Sequence, residues 1–167
     1  MKFAYADPPY IGVAHRYPEK TEVDHDELIS RLSCEYPDGW ALSCSSPSLM
    51  QIMAILDTQG VSFRIMAWVK PFAAFKVNVG VAYAWEPVIV HGGRSRSREQ
   101  TTVRDWFSAP ITLKRGLVGA KPESFCRWIL DVLNFLPGDT IDDLFPGTDV
   151  MGRVVAQGDL LGEGIVR

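Results

Sequence analysis

The chain has 167 residues, 47% of them apolar and 22% charged, with a formal net charge of −3 and a pI near 5.6. This length and balance fit one domain with a real core and exclude a disordered, fibrous or uniformly basic protein. No apolar run is long enough for a membrane-spanning helix, and Met1-Lys2-Phe3 leads into a strand without a signal peptide, so a cytoplasmic protein is expected.

The run Lys2–Ala6 reads as a buried strand, followed by a polar loop from Ile11 to Val23. Asp24 has the position of a helix N-cap, with Glu27 as its box partner and Leu28, Ile29 and Leu32 as the buried stripe. Trp40–Cys44 predicts a second buried strand. Ser46-Pro47 reads as a cap and a first-turn proline, opening a helix through Leu49, Ile52, Met53 and Leu56 that stops at Gly60. Phe63–Val69 predicts a third strand, ended by Lys70-Pro71. Phe72–Val90 is rich in aromatic and β-branched residues and suggests strands and hairpins. Pro122 opens a helix through Phe125, Trp128, Ile129 and Leu133, after which Pro137-Gly138 turns the chain. Thr140–Phe145 predicts a further strand, and Gly147 begins a loop into a last helix near Val150–Ala156.

Strands alternating with helices argue for an α/β domain over residues 1–167, with a mostly parallel sheet and helices on both faces. The stretch 73–119 breaks the alternation and reads as a β-rich insert on the sheet. Cys34, Cys44 and Cys126 lack metal-ligand spacing and suit small core residues in a reducing compartment.

Asp7-Pro8-Pro9-Tyr10, at the mouth of the first strand, carries the most chemistry. The two prolines hold the backbone extended and remove two N–H donors, so the exposed polar groups are acceptors. An Asp7 carboxylate and a Pro8 carbonyl could bind the two hydrogens of an amino group on a planar ring, while Tyr10 offers a flat face. Such an amino nitrogen is a poor nucleophile, and acceptors that orient it toward a pyramidal geometry assist attack. A Pro-rich turn with a solvated Asp7 is the plainer reading of the same four residues. The second motif is Asp142-Asp143-Leu144-Phe145-Pro146-Gly147-Thr148-Asp149, a strand running into a Gly-containing turn before a helix. Ligands of doubly wound sheets lie against such turns. Taken alone, it is also how an ordinary strand–helix connection looks.

Together the two motifs resemble those of the S-adenosylmethionine-dependent amino-methyltransferases that act on exocyclic amino groups of DNA. Asp7-Pro8-Pro9-Tyr10 matches that family's D-P-P-Y, and Asp143, Phe145 and Gly147 match its D-x-F-x-G-x-G. Gly119-Ala120-Lys121-Pro122-Glu123, with Phe125, resembles the lysine-proline motif ahead of the cofactor strand. Catalytic motif first and cofactor motif last is the order of the permuted beta class, and the likeness covers most of the chain. It is nearest to small phage-type adenine methylases, whose setting would be the host cytoplasm.

The resemblance implies a Rossmann-like methyltransferase fold with both motif strands adjacent at the switch point, and S-adenosyl-L-methionine as cofactor without any metal. It implies that Asp7, Pro8, Pro9 and Tyr10 serve catalysis on a flipped adenine in DNA. Lys121, Pro122, Glu123, Phe125, Asp142, Asp143, Phe145, Gly147 and Thr148 would surround the cofactor. Family members acting on cytosine usually carry serine where Asp7 stands, so adenine is favoured. The motif's last glycine is Asp149 here, and an acidic residue for the ribose hydroxyls has only Asp159 and Glu163 as substitutes. Weaker cofactor binding than with glycine is expected.

Arg94, Arg96, Arg98 and Arg104, followed by Lys114 and Arg115, form a basic stretch suited to phosphates or to plain solvation. Trp85 and Trp106 flank it and could stack, though core packing suits each better. The 73–119 segment would serve target recognition, and its small size implies a short site or the help of a second subunit in a homodimer. Methylation of cytosine or RNA, a non-catalytic nucleic-acid-binding module, and a protein or small-molecule substrate are the competing readings.

Overall fold

The computed structural model describes residues 1–16, 21–72, 79–111 and 120–161. Its strands are β1 (Lys2–Ala6), β2 (Gly39–Ser43), β3 (Arg64–Val69), β4 (Trp85–Gly92), β5 (Trp106–Ser108) and β6 (Thr140–Asp143). They form one sheet in the order β5-β3-β4-β2-β1-β6. β1, β2 and β6 are parallel, and β4 runs antiparallel to both β2 and β3. β5 is parallel to β3, so β4 is the only reversed strand among the described ones. The helices are α1 (His25–Glu35), α2 (Leu49–Thr58), α3 (Glu123–Leu133) and α4 (Val150–Leu161).

Period-two alternation decides which side of the sheet each residue serves. Ala4, Ala6, Trp40, Leu42 and Ile89 pack with Leu28, Ile29, Leu32, Ile52 and Leu56 of α1 and α2. Phe3, Tyr5, Ala41, Val88 and Val90 pack with Phe125, Ile129, Leu133 and Val154 of α3 and α4. A sheet covered on both faces explains why its inner strands read as continuous apolar runs rather than alternating ones. The expected α/β class, with helices on both faces, is the observed one.

Local signals explain most element ends. Asp24 caps α1, its side chain accepting from the Asp26 and Glu27 amides. Asn134 ends α3 in the left-handed conformation, at φ 53°. α2 opens later than its sequence suggests: Ser48, and not Ser46, holds the N-cap position, and it makes no side-chain cap bond. Its hydroxyl lies 2.5 Å from that of Ser45 instead. β6 stops at Asp143, because the Phe145 amide turns back to Asp143 Oδ1 at 3.1 Å. Cys34 is exposed rather than in the core, unlike Cys44 and Cys126. β4 and β5 belong to the sheet itself, β4 between β2 and β3, so this part of 73–119 is scaffold. Residues 73–78 and 112–119 of the stretch, with Lys114, Arg115 and Gly119, lie outside the described residues, as does Glu163. No helix among the described residues is long and apolar enough to cross a membrane.

Asp139 closes the end of the sheet away from the Asp7 motif. Its side chain is 4% exposed and binds the Met1 ammonium at 2.6 Å. Both of its oxygens also accept from Arg94 Nη2, at 2.6 and 2.7 Å, and Oδ2 accepts from the Leu136 amide at 2.8 Å. Burial alone would raise its carboxyl, but the Arg94, Met1 and Leu136 donors prevail and hold it down at about 2. A depressed carboxyl contributes stability above its ordinary range and loses it as pH falls toward the folded value. Asp139→Asn is expected to lower the melting temperature near neutral pH, with the deficit shrinking as pH falls from about 4 toward 2. Thermal melts of both proteins across that range check it.

Candidate active site

Four charged side chains from distant parts of the chain meet at one rim of the sheet. Their convergence follows from strand periodicity. Asp7 lies two residues beyond Tyr5, Lys70 two beyond Trp68, and Glu86 two before Val88, and those three apolar residues all face α3. The three charged side chains therefore continue the same face past the core. Lys121 stands just ahead of α3 and enters from above.

Lys121 is 8% exposed. Its Nζ lies 3.1 Å from Asp7 Oδ1 and 2.9 Å from Glu86 Oε2, and donates to the Tyr10 hydroxyl at 3.1 Å. The Tyr10 hydroxyl in turn donates to Glu86 Oε2 at 3.0 Å and, less closely, to Asp7 Oδ1 at 3.4 Å. Glu86 Oε1 receives Lys70 Nζ at 2.8 Å. The Trp68 ring lies 5.1 Å from Lys121 Nζ and the Tyr10 ring 5.6 Å, both within cation–π range.

The two carboxylates in this cluster are driven apart. Burial pushes the Asp7 carboxyl up, Lys121 pulls it down, and the negative Glu86 pushes it up again, for a net rise. Burial acts on Glu86 in the same sense, but Lys121 and Lys70 outweigh it and hold Glu86 down at about 2. Burial also disfavours the charge on Lys121, yet Asp7 and Glu86 keep it above its ordinary value. Glu86 is thus the permanent anion, and Asp7 is the carboxyl that can take up a proton.

The second motif reaches the same rim. β1 and β6 pair in parallel with Tyr5 opposite Asp143, and the Leu144 amide donates to the Tyr5 carbonyl at 2.9 Å. Asp143 therefore shares a face with Tyr5 and Asp7, whereas Asp142 points to the other side. There the Tyr36 hydroxyl binds Asp142 at 2.8 Å and Lys2 approaches it at 3.5 Å. The loop before α4 turns through two left-handed residues, Gly147 at φ 46° and Asp149 at φ 52°. Asp149 occupies the position where the motif expects glycine, in a conformation that Asp adopts more readily than most residues. Its carboxylate folds over the first turn of α4, where a Cβ on Gly152 would collide with Asp149 Oδ1. A cleft of about 420 Å³ lies here, lined by Tyr36, Asp142, Asp143, Pro146, Asp149 and Gly152 among others. It stops short of Asp7 and Lys121.

The other expected site residues divide. Pro8 is buried, and Pro9 is half-buried. Pro122 holds the N-cap position of α3, with Glu123 exposed in its first turn. Phe125 is fully buried between Tyr5 and Trp68, so it packs the core. Phe145 packs at the margin of the α1–α2 core, and the Thr148 carbonyl accepts from Arg153 at 2.5 Å.

The basic stretch lies elsewhere. Gly92 pairs with Gly39, the first residue of β2, so the chain leaves β4 at the end of the sheet opposite Asp7. Arg94 is engaged by Asp139, and Arg96 donates to the carbonyls of Thr101 and Asp131. Both arginines bind the protein itself. Arg98 is exposed, and exposed Arg104 stacks on Trp106 at 5.4 Å along the outer strand β5. Lys70 and Glu86 carry no sequence signal of their own, since only the register of Trp68 opposite Glu86 brings them together.

No protein-family profile matches the chain, and no curated protein matches it in sequence. Solved structures do match in fold. The M1.HpyAVI–SAM complex superposes with a TM-score of 0.63 at 16% identity, covering 93% of this chain and 78% of that one. A second structure of M1.HpyAVI gives 0.60 at 15% identity, covering 95% and 76%. A candidate DNA modification methylase from Thermus thermophilus gives 0.57 at 14% identity, covering 93% and 75%. The chain shares the fold of these three solved structures.

Asp143 offers a direct test of the rim's electrostatics. Burial pushes its carboxyl up to about 6, the Phe145 amide opposes this, and the Asp7 and Asp149 charges add to it. A carboxyl raised in the folded state favours folding at low pH and loses that contribution as pH rises through its folded value. Asp143→Asn keeps an acceptor for Phe145 and removes the charge. It is expected to melt above the wild type at about pH 7–8 and to converge with it below about pH 4. A gap independent of pH would contradict this.

Proposed function

We propose that this protein transfers a methyl group from S-adenosyl-L-methionine to an exocyclic amino group of DNA, with the N6 amino group of adenine as the preferred acceptor. The observation that carries the reading is the parallel pairing of β1 with β6, which delivers Asp7-Pro8-Pro9-Tyr10 and the Asp143–Asp149 turn to one rim. The likeness in fold to the M1.HpyAVI–SAM complex supports it. Adenine rests on Asp7, where cytosine-specific relatives of the resembled family usually carry serine.

The residues present fit the cofactor in part. Two left-handed positions, at Gly147 and Asp149, give the turn the backbone form of a close-approach loop. Asp143 supplies negative charge for a ligand with a sulfonium and an ammonium. The cleft of about 420 Å³ falls in the ~300–1,000 Å³ range of small-molecule sites. Asp143, Gly147 and Thr148 would hold the cofactor, which supplies an electrophilic methyl group when bound. Asp149 departs from the pattern by laying its carboxylate over the first turn of α4, where the free amides of a helix start would otherwise face a ligand.

The chain's own part is to hold the acceptor. Asp7 accepts an amino N–H and orients the nitrogen lone pair, and Tyr10 stacks on a base taken out of the helix. As the new C–N bond forms and the S–C bond breaks, the nitrogen must lose one proton. Asp7, with its carboxyl raised by burial, is placed to receive it. Of Arg94, Arg96, Arg98 and Arg104, the last two are exposed and could meet phosphate. A nucleic-acid-binding module without catalysis is the second reading, and Asp149 is the observation that favours it.

Incubating DNA with methyl-labelled S-adenosyl-L-methionine tests the reading. Label in N6-methyladenine is expected, falling by at least ~100-fold in Asp7→Ala. Label in N4-methylcytosine or in RNA alone would change the acceptor, and DNA binding without transfer would replace the reading with the module. Calorimetry is expected to show tighter S-adenosyl-L-methionine binding by Asp149→Gly, and tighter binding by the wild type would overturn the role given to Asp149.

A further inference from the structure

Glu86 lies outside every motif of the chain, yet it holds more of the rim together than Asp7 does. One of its oxygens takes Lys121 at 2.9 Å and the Tyr10 hydroxyl at 3.0 Å, and the other takes Lys70 at 2.8 Å. Asp7 meets Lys121 and Tyr10 through Oδ1 alone, and its Oδ2 has no partner among the described residues. The ammonium of Lys121 has three protons and three nearby acceptors, at Asp7, Glu86 and Tyr10.

Removing the Glu86 charge would upset this sharing. One proton of Lys121 and the hydroxyl proton of Tyr10 would each lose their Glu86 acceptor, and the nearest carboxylate left to both is Asp7. Two lysines would then face one anion, and Asp7 would be held by both oxygens. An acceptor occupied in that way cannot orient an amino group. We infer that Glu86 is a positioning residue: by binding Lys121, Lys70 and Tyr10 it leaves one oxygen of Asp7 available to the reacting amino group.

The inference rests on the proposed amino-methyl transfer, but it has a readout that does not. Two variants separate positioning from mere charge balance. Glu86→Gln leaves an excess positive charge, and the double variant Glu86→Gln with Lys70→Gln removes that excess. If Glu86 only balances charge in a buried cluster, the double variant recovers both melting temperature and turnover. If Glu86 positions, the double variant recovers melting temperature while kcat stays lower by ~10- to 100-fold, with KM for S-adenosyl-L-methionine unchanged. Loss of a neighbouring negative charge also shifts the acid limb of kcat in Glu86→Gln to lower pH, even as its plateau falls.

The second measurement follows the Asp7 carboxyl directly, by carbon-13 NMR titration of the wild type and Glu86→Gln. Its midpoint is expected to move down in the variant. If the wild type transfers no label to any nucleic acid, the proposed function fails while the titration still decides the inference. An unmoved Asp7 midpoint, or recovery of kcat in the double variant, overturns the inference whatever the substrate proves to be.

Discussion

A buried ammonium has to be paired, and Lys121 imposes that demand on the rest of the rim. At 8% exposure it would lose most of its hydration, and an isolated charge in such a place is costly enough that the group would give up its proton. Asp7 and Glu86 provide the compensation, at 3.1 and 2.9 Å. The consequence is mechanical as well as electrostatic. The end of β1, the start of β4 and the approach to α3 are tied at one point, although Asp7 and Lys121 are far apart in sequence. Two lysines and two carboxylates leave the group neutral, which is the condition under which a buried ionic cluster is tolerable.

Neutrality overall does not make the members equivalent. Glu86 is flanked by two lysines, whereas Asp7 shares one of them, so the same burial leaves Glu86 down at about 2 and Asp7 raised. The separation turns one carboxylate into a fixed anchor and the other into an acceptor able to take a proton. Asp143, pushed up to about 6 on the same face, adds a third carboxyl sensitive to the charge of the rim. Any cation arriving there would favour the ionised forms of Asp7 and Asp143, so ligand charge and site protonation are coupled.

The basic stretch shows how charge in a sequence differs from charge at a site. Arg94 and Arg96 were expected to face phosphates, but β4 is reversed and carries the chain to the end of the sheet away from Asp7. There Arg94 completes the Asp139 cluster with the Met1 ammonium, and Arg96 donates to the Asp131 carbonyl in the last turn of α3 and to the Thr101 carbonyl. The reversed strand was itself hard to foresee. Pro87 argues against an interior strand, because it cannot donate to a ladder. It is accommodated because β4 pairs with β2 only from Val88 to Gly92, so Pro87 lies just ahead of that ladder and only accepts, its carbonyl taking the Cys44 amide at 3.1 Å.

What the sequence settled alone was local. Apolar runs set β1 and β2, Asp24 set the start of α1, and the two motifs stood where a strand meets a loop, because these features depend on residues within a few positions of one another. The α/β class followed from their alternation. Register was not legible, since it is a choice among distant partners that no short pattern encodes. Only the folded sheet put Tyr5 opposite Asp143, Trp68 opposite Glu86, and Lys121 over both. It put Lys121 in the Asp7 cluster and Phe125 in the core, and it made Glu86, silent in the sequence, the residue on which the Asp7 site turns.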